Sequence, residues 1–544
     1  MNIRKLLTKQ AEQYPQKSAI LFQGKAITFS QVRDSSFRLA NYLLKIGLTS
    51  SDKVATFLPN TPEAIFTFLG VFTIGSAVVP LDFMLTENEI INFINHSQAK
   101  VLIAAVKIDL ANIKTKCVSL EKIIVCGQES GEFSCGKNKH EIRQSKDKGF
   151  DLQSELPQGT SAELRSELRL RRSEVTSWDV ALEESSPDQP SVEHREDDLA
   201  AIFYTSGSTG HPKGVCLEYR HLDNPSQTID HFLGLSGDDV FLCGGVPFSH
   251  IGGLDYILLM ITFTSPLVLM SRFNPFEFLK SIEYHKVTIF CIVPAMYVAI
   301  LSLKGYDKFD LSCLRYAVVF GAPSSPMLLK RFHRVCPQAV ILNGWGMTET
   351  SAPNAYSPSD DSKISSIGYF DFNLEAKIVD DAGNKLEGPS QGELWVKGPA
   401  VMREYYKEPG LTKEVLTEDG WLKTGDIVRV DSDRLHYIVG RKKDMIKVAG
   451  EIVSLAEVEE KINRYPKVKE VAVIGVADKL RGEVPKAFIV SKQEEILSEQ
   501  ELKDFLKEHL AHFKIPHYFE FVGGLPKNRT GKIDKGKLKT GEQL

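Results

Sequence analysis

From residue 199 onward, short apolar runs alternate with stretches whose apolar residues recur every three to four positions. This alternation is typical of strand–helix–strand units in which helices cover a largely parallel sheet. The pattern predicts helices at 275–285 and 326–335. It predicts strands at 199–204, 240–243, 267–270, 287–292, 316–320 and 340–342. The middle of the chain is therefore predicted to be α/β, with sheets flanked by helices.

The pattern changes after about residue 370 to apolar runs separated by turn residues, such as residues 381–384 and 431–433. Short strands joined by turns predict an antiparallel β subdomain. A second change follows Gly440, where strands are predicted at 471–476 and 487–490. We therefore predict a small α+β domain at the end of the chain.

Two helix starts support this small domain. Ser454 with Glu457, and Ser498 with Glu501, have the spacing of a capping box, in which a hydroxyl residue and an acid three positions later satisfy the first turn. In each case apolar residues that share one helix face follow. Both segments are therefore predicted to be amphipathic helices packed on a sheet.

Two stretches without charge, residues 64–81 and 256–271, approach the length of a membrane span. The first contains Gly70, Gly75 and Pro80, and the second is interrupted by polar residues and a proline. We therefore predict buried core segments and at most peripheral membrane contact.

Residues 126–196 are rich in Lys, Glu, Arg, Ser and Gln, with a quasi-repeat at 162–169. So few apolar residues cannot offset the entropy of a fixed fold. This region is interpreted as a partly disordered surface insertion, and a separate partner-binding role for it stays open.

Composition limits the class of protein. The chain has 544 residues, 42% hydrophobic and 25% charged, with a formal net charge of −4. A single core stops growing at roughly 250 to 300 residues, so at least two domains are expected. A nucleic-acid binder would show an excess of basic residues, and we exclude that class.

The 8 cysteines are scattered and are expected to be free thiols. No apolar signal core follows Met1, so a reducing cytoplasm is the expected location.

The strongest chemical signal is the loop Tyr204-Thr-Ser-Gly-Ser-Thr-Gly-His-Pro-Lys-Gly214, directly after a predicted strand. Glycines and hydroxyl residues can wrap N–H and O–H groups around phosphate oxygens, and Lys213 adds a positive charge. The loop is not a Walker motif, because His-Pro follows Gly210. It predicts an anion site.

Together with this loop, three later segments resemble the acyl-adenylate-forming superfamily, which includes acyl-CoA synthetases. They are Asn343-Gly-Trp-Gly-Met-Thr-Glu-Thr350, Gly420-Trp-Leu-Lys-Thr-Gly-Asp426 with Gly440-Arg-Lys-Lys-Asp444, and Pro526-Lys-Asn-Arg-Thr-Gly-Lys-Ile533. The resemblance covers the chain outside the insertion. It implies an adenylate-forming domain over residues 1–440 and a mobile lid over residues 441–544.

The resemblance also implies a reaction and its cofactors. A carboxylate would react with ATP to give acyl-AMP and pyrophosphate, and the acyl group would then pass to a thiol. Two anions must meet in the first step, so cations and oriented dipoles are needed. ATP, Mg²⁺ and coenzyme A are the expected ligands.

Site residues are implied position by position. The phosphate-binding residues would be Thr205, Ser206, Gly207, Ser208, Thr209, Gly210 and Lys213, and Mg²⁺ ligands would be Thr205 and Glu349. The adenine-side wall would be formed by Gly321, Ala322, Pro323, Asn343, Gly344 and Trp345. The residues that follow, Gly346, Met347 and Thr348, would also bind ATP. Asp426 and Arg441 would bind the ribose.

Other residues are implied to act through the small domain or the acyl pocket. Lys532 would bridge the carboxylate and ATP during adenylation. Lys443 would be the hinge, and Lys447, Ala449, Gly450 and Glu451 would line the thiol tunnel. His250 matches a histidine near the acyl pocket of many CoA ligases.

The acid and the thiol are left partly open. Gly252, Gly253 and their apolar surroundings favour a medium- or long-chain fatty acid, an aromatic acid stays possible, and an amino acid is disfavoured because the Phe-Asp motif is missing. The acceptor is expected to be CoA, with an acyl carrier protein as the alternative. A non-catalytic nucleotide-binding scaffold is the rival from another class.

Overall fold

The computed structural model describes the residues that follow: 1–105, 108–127, 174–205, 212–321, 324, 326–360, 362–370, 374–448, 451–478, 480–492, 497–527 and 533–540. The chain divides into two compact units. The first unit contains residues 1–220 and 245–271, and the second contains residues 221–244 and 272–544.

The first unit is built from helices and mainly parallel strands. Its helices are α1 (Ile3–Gln13), α2 (Phe29–Lys45), α3 (Pro62–Thr73), α4 (Glu87–Ser97), α5 (Leu110–Lys116), α6 (Trp178–Glu183) and α8 (Ile251–Phe263). Its strands are β1 (Ser18–Phe22), β2 (Lys25–Thr28), β3 (Lys53–Phe57), β4 (Ala77–Pro80), β5 (Val101–Ala105), β6 (Lys122–Cys126), β7 (Val175–Ser177), β8 (Leu199–Thr205), β9 (Lys213–Glu218) and β11 (Leu267–Leu269).

These strands pair in two groups. The larger group has the order β9-β8-β4-β3-β5-β6-β7 and is parallel except for the antiparallel β8–β9 hairpin. In the smaller group β1 pairs with β11 in parallel and with β2 in antiparallel orientation. The largely parallel sheet explains the apolar strands, because such sheets are buried on both faces.

The second unit contains the other elements. Its helices are α7 (Asn224–Leu233), α9 (Pro275–His285), α10 (Pro294–Ser302), α11 (Pro326–His333), α12 (Pro409–Val415), α13 (Leu455–Asn463), α14 (Glu499–Lys507) and α15 (Lys535–Thr540). Its strands are β10 (Phe241–Cys243), β12 (Ile289–Ile292), β13 (Tyr316–Val319), β14 (Val340–Trp345), β15 (Ala355–Tyr356), β16 (Glu375–Val379), β17 (Ser390–Lys397), β18 (Glu404–Tyr405), β19 (Leu422–Val430), β20 (His436–Arg441), β21 (Met445–Val448), β22 (Glu451–Ser454), β23 (Val468–Asp478), β24 (Gly482–Ser491) and β25 (Tyr518–Phe521).

Three sheets organise this second unit. Strands β10, β12, β13 and β14 are parallel neighbours, and β15 adds to β14 in antiparallel orientation. Strands β16, β17, β19 and β20 form an antiparallel sheet. Strands β22, β21, β24 and β23 form another antiparallel sheet, and β25 pairs with β24 in parallel. The predicted α/β class and its antiparallel subdomain are confirmed.

Apolar residues of the C-terminal region form two hydrophobic clusters. One includes Val458, Ile462, Val473 and Leu502, and the other includes Ala472 and Phe488. The alternation of Ala472 and Val473 between the clusters follows the two faces of a strand. A domain boundary near residue 440 stays a prediction, because the residues on both sides of it belong to the second compact unit.

The charge-free stretch at 64–81 forms helix α3 and strand β4, as predicted. Residues 64–73 of that helix are all buried. Throughout the described ranges, no helix has both the length and the apolar character that crossing a membrane requires.

The predicted insertion is shorter than its assigned limits of 126 and 196. Residues 128–173 lie outside the described ranges. Strand β7 and helix α6 belong to the fold, because β7 pairs with β6 and the side chains of Trp178 and Ala181 are buried. Arg38 holds the next segment by donating to the carbonyl oxygens of Leu182 and Ser185. The buried side chains of Trp178 and Ala181 therefore fix this segment in the fold, although its average composition is polar.

Candidate active site

A buried carboxylate joins three strands of the second unit. Asp426 lies on β19 opposite Arg441 at the end of β20. Its Oδ1 lies 2.7 Å from Nε of Arg441, and its Oδ2 accepts a hydrogen bond of 2.9 Å from the indole Nε1 of Trp345. Arg441 is further oriented by donating from Nη1 to the carbonyl oxygen of Thr424. The structure thus brings together three residues that the resemblance places beside the nucleotide.

The environment of Asp426 has opposing effects on its pKa. Burial raises the pKa of Asp426 above its ordinary value, whereas the charge of Arg441 and the hydrogen bond from Trp345 act to lower it. Each carboxylate oxygen has one partner and retains capacity for another hydrogen bond. The group can therefore accept hydroxyl donors from a ligand.

A second buried carboxylate lies in the short 3-10 turn that follows β14. Glu349 is 8% exposed, and its Oε1 accepts a hydrogen bond of 2.8 Å from the Tyr405 hydroxyl. Its backbone carbonyl accepts a hydrogen bond from the N–H of Met402. Within the described part of the chain, no Lys, Arg or His forms an ion pair with Glu349. A buried carboxylate with one neutral donor is suited to a cation from outside the protein.

Tyr405 is held in its protonated form. Burial and the neighbouring Glu349 carboxylate raise the pKa of the Tyr405 hydroxyl, and the charge of Arg441 acts in the opposite direction. Its hydroxyl therefore stays a donor to Glu349.

The predicted adenine-side segments lie at the carboxyl ends of β13 and β14. Asn343 is buried, accepts a hydrogen bond from Ser324 and donates to the carbonyl oxygen of Ser366. A Cβ at Gly344 would lie 2.2 Å from the ring of Phe320, so this position requires glycine. Ligands of open α/β sheets bind beyond the carboxyl ends of the strands.

In the first unit, Thr205 and Lys213 face each other across the β8–β9 hairpin. They therefore stand at the two ends of the predicted phosphate loop. Tyr204 is anchored by a 2.7 Å hydrogen bond between its hydroxyl and Nδ1 of His96. His250 precedes helix α8, with Nε2 3.9 Å from Oδ2 of Asp82.

The predicted hinge and tunnel residues occupy the start of the C-terminal region. Lys443 lies in the 3-10 turn between β20 and β21, and its neighbour Lys442 forms a 2.8 Å ion pair with Glu393. Lys447 is exposed on β21, and Glu451 is exposed at the start of β22. Ten predicted site residues lie outside the described ranges: Ser206, Gly207, Ser208, Thr209, Gly210, Ala322, Pro323, Ala449, Gly450 and Lys532.

Tyr405 and Glu393 were not predicted from the sequence. The Tyr405 side chain contacts Glu349, and the Glu393 side chain contacts Lys442. In both pairs the partner lies in a predicted functional segment that is distant in the sequence. No local spacing connects these pairs, so periodicity and motif arguments could not have found them.

Comparison with protein families gives a match over most of the chain. The model of the AMP-binding enzyme matches residues 7–406, and the model of the AMP-binding enzyme C-terminal domain matches residues 457–532. The chain belongs to the AMP-binding enzyme family. The resemblance drawn from the four motifs is confirmed.

Curated relatives of this AMP-binding enzyme include two CoA ligases. A long-chain-fatty-acid–CoA ligase of Bacillus subtilis is 31% identical over 98% of this chain and 94% of the relative. A 4-coumarate–CoA ligase of Oryza sativa is 32% identical over 95% of this chain and 87% of the relative. The fold is similar to a crystal structure of an anthranilate CoA ligase in complex with anthranoyl-AMP, with a TM-score of 0.84, 25% identity and coverage of 99% and 97% of the two chains. The chain is an AMP-forming acid–thiol ligase.

The described residues contain no group of three or more His, Cys, Asp or Glu side chains placed to hold a metal ion. The seven described cysteines form no disulfide bond with one another.

Proposed function

We propose that this enzyme activates a medium- or long-chain fatty acid as acyl-AMP and transfers the acyl group to coenzyme A. The observation that carries the proposal is the pair of buried carboxylates, Asp426 and Glu349. Asp426 accepts a hydrogen bond from Trp345, the last residue of β14, and Glu349, in the turn after β14, accepts one from Tyr405. The fatty acid is supported by the name of the B. subtilis relative and by helix α8, whose residues from Gly253 to Ile261 are all buried.

The proposed chemistry has two steps. A carboxylate oxygen of the acid attacks the α-phosphorus of ATP, and the bond from that phosphorus to the β-phosphate bridging oxygen breaks to release pyrophosphate. The thiol of CoA then attacks the acyl carbon, its proton is lost, and the acyl–oxygen bond breaks to release AMP. Both steps gather negative charge, so fixed cations and hydrogen-bond donors lower their barriers.

In this proposal Asp426 accepts the ribose hydroxyls of ATP. Trp345 and Arg441 fix its two oxygens, so the carboxylate is already oriented when the nucleotide binds. Preorganised charge of this kind costs no rearrangement during the reaction.

Glu349 would contribute an oxygen ligand to Mg²⁺, because its buried charge lacks a cationic partner in the described residues. A bound Mg²⁺ ion supplies positive charge to the phosphate oxygens of ATP. Tyr405 would hold Glu349 in position through its hydroxyl. The roles of Thr205, Lys213, His250, Lys443 and Lys447 stay predictions from the resemblance, as do those of the residues outside the described ranges.

Tyr405→Phe is expected to raise the Mg²⁺ concentration at half-maximal activity by about 3- to 10-fold, because one hydrogen bond to a charged group is lost. Tyr284→Phe is the control, since the side chain of Tyr284 is 77% exposed. Calorimetric titration with ATP gives a second readout, in which Tyr405→Phe should weaken binding with Mg²⁺ present and leave binding in EDTA unchanged. Equal weakening under both conditions would show that Tyr405 supports the fold and not the metal ligand.

The choice of acid and acceptor is tested with a panel scored by pyrophosphate release and by acyl transfer. Fatty acids of medium and long chain should give the highest kcat/KM, with free CoA as the acceptor. The O. sativa relative makes an aromatic acid the second candidate. A higher kcat/KM for cinnamic-type acids than for fatty acids would contradict the proposed fatty acid substrate. Acyl transfer to a carrier protein and not to free CoA would contradict CoA as the acceptor.

A further inference from the structure

Helix α8 contains one charged residue, Asp255, among apolar neighbours. Asp255 is 8% exposed, and its Oδ1 is buried without a hydrogen-bond partner. No residue in the described ranges forms an ion pair with its carboxyl group. An unpartnered carboxyl in an apolar environment is destabilising, and native proteins rarely keep such a group without a use for it.

Burial raises the pKa of Asp255 well above its ordinary value. Burial therefore favours the neutral carboxyl group over the carboxylate. A neutral carboxyl offers one O–H donor and a carbonyl acceptor. Oδ1 of Asp255 has no hydrogen-bond partner among the described residues, so a small polar group that can donate and accept at once would complement it.

Helix α8 has open space at Gly252, close to Asp255 in the sequence. Gly252 lies three residues earlier, so the two residues are neighbours on the helix surface. A Cβ at Gly252 would contact only Cγ1 of Val246, at 3.7 Å, whereas a Cβ at Gly253 would lie 2.3 Å from the carbonyl oxygen of Pro247. Gly253 is thus needed for close packing, while Gly252 leaves room on the side of the helix that carries Asp255.

We propose that Asp255 is a specificity-determining residue whose carboxyl group hydrogen-bonds a hydroxyl group on the tail of the acid substrate. The inference rests on the proposed function, because it assigns helix α8 to the acyl pocket. It narrows the substrate to acids with an apolar tail that carries a hydroxyl group.

A hydroxyl matches the site better than an amine. A protonated amine would bring a charge into a segment where Leu254 and Tyr256 are buried, at a high desolvation cost. A hydroxyl donates one hydrogen bond and accepts another while both groups stay neutral. Sites built to bind a substrate hydroxyl also discriminate strongly against analogues without it, because their own polar atoms are then left unpaired.

The test uses the full-length enzyme and pairs of acids that differ by one hydroxyl group. Suitable pairs are octanoic with 8-hydroxyoctanoic acid, dodecanoic with 12-hydroxydodecanoic acid, and 3-phenylpropanoic with 3-(4-hydroxyphenyl)propanoic acid. Pyrophosphate release should give a kcat/KM at least about tenfold higher for the hydroxylated member of one or more pairs. Asp255→Leu should bring that ratio to about 1 or below, and Asp255→Asn, which keeps a donor and an acceptor, should retain part of it.

Thr262→Val is the matched control, because it removes a polar group from the same helix and should leave the ratio unchanged. Thermal unfolding gives an independent readout, and Asp255→Leu is expected to raise Tm because it removes a buried unpartnered carboxyl. A wild-type ratio of about 1 in every pair would overturn the proposal, as would a ratio that Asp255→Leu leaves unchanged. Absence of pyrophosphate release with every acid would instead contradict the proposed function itself.

Discussion

Lys532→Ala is expected to abolish acyl-AMP formation and to leave acyl transfer from supplied acyl-AMP to CoA largely intact. The resemblance assigns this lysine to the bridge between the substrate carboxylate and ATP, a contact that belongs to the first step. Loss of a preorganised charge contact costs about 10²- to 10³-fold in rate. The first half-reaction is measured by exchange of labelled pyrophosphate into ATP, and the second by thioester formation from synthetic acyl-AMP.

Lys539→Ala is the matched control, since Lys539 is exposed on the nearby helix α15. It should leave both half-reactions unchanged. Equal losses in the two half-reactions of Lys532→Ala would contradict a role confined to adenylation.

Asp426→Ala is expected to lower kcat/KM for ATP by about 100-fold or more, because the proposed role of Asp426 is to accept two hydrogen bonds from the ribose hydroxyls. The KM for the acid should change little. The variant should also unfold more easily, by about 1–3 kcal/mol, because the indole N–H of Trp345 loses its partner in a buried site. Arg441 is 48% exposed and can regain water, which limits the cost of losing that ion pair.

Asp426→Asn keeps the shape of the side chain and separates the two effects. It should recover most of the stability and little of the ATP affinity, because the amide is neutral. Asp419→Asn, an exposed acid before β19, is the control and should resemble the wild type. An Asp426→Ala enzyme with an unchanged KM for ATP would remove Asp426 from the nucleotide site.

The capping motifs in the sequence predicted where two helices begin, but not which distant residues their acidic side chains contact. Ser454 and Ser498 each accept a hydrogen bond from the backbone N–H three residues later, as the capping motif predicts. The acids of those motifs act elsewhere, because Glu457 binds Lys514 and Glu501 binds Lys467. A helix start depends on adjacent residues, whereas the partner of a long side chain depends on the tertiary fold.

The candidate site shows the same limit. The motifs predicted Trp345, Glu349, Asp426 and Arg441, but not that the Trp345 indole would donate to Asp426. Tyr405 reaches Glu349 across 56 positions of sequence, and no periodicity carries that information. Asp255 could be seen as a charged residue in an apolar helix, but its lack of a partner could be established only once its neighbours were placed.

The most direct test of the central claim follows the oxygen atoms of the substrate. With ¹⁸O in both carboxylate oxygens of the acid, formation of acyl-AMP and then acyl-CoA should leave one ¹⁸O atom in AMP and none in pyrophosphate, as measured by mass spectrometry. Appearance of the label in inorganic phosphate together with ADP, or AMP without label, would contradict an acyl-adenylate mechanism for this enzyme.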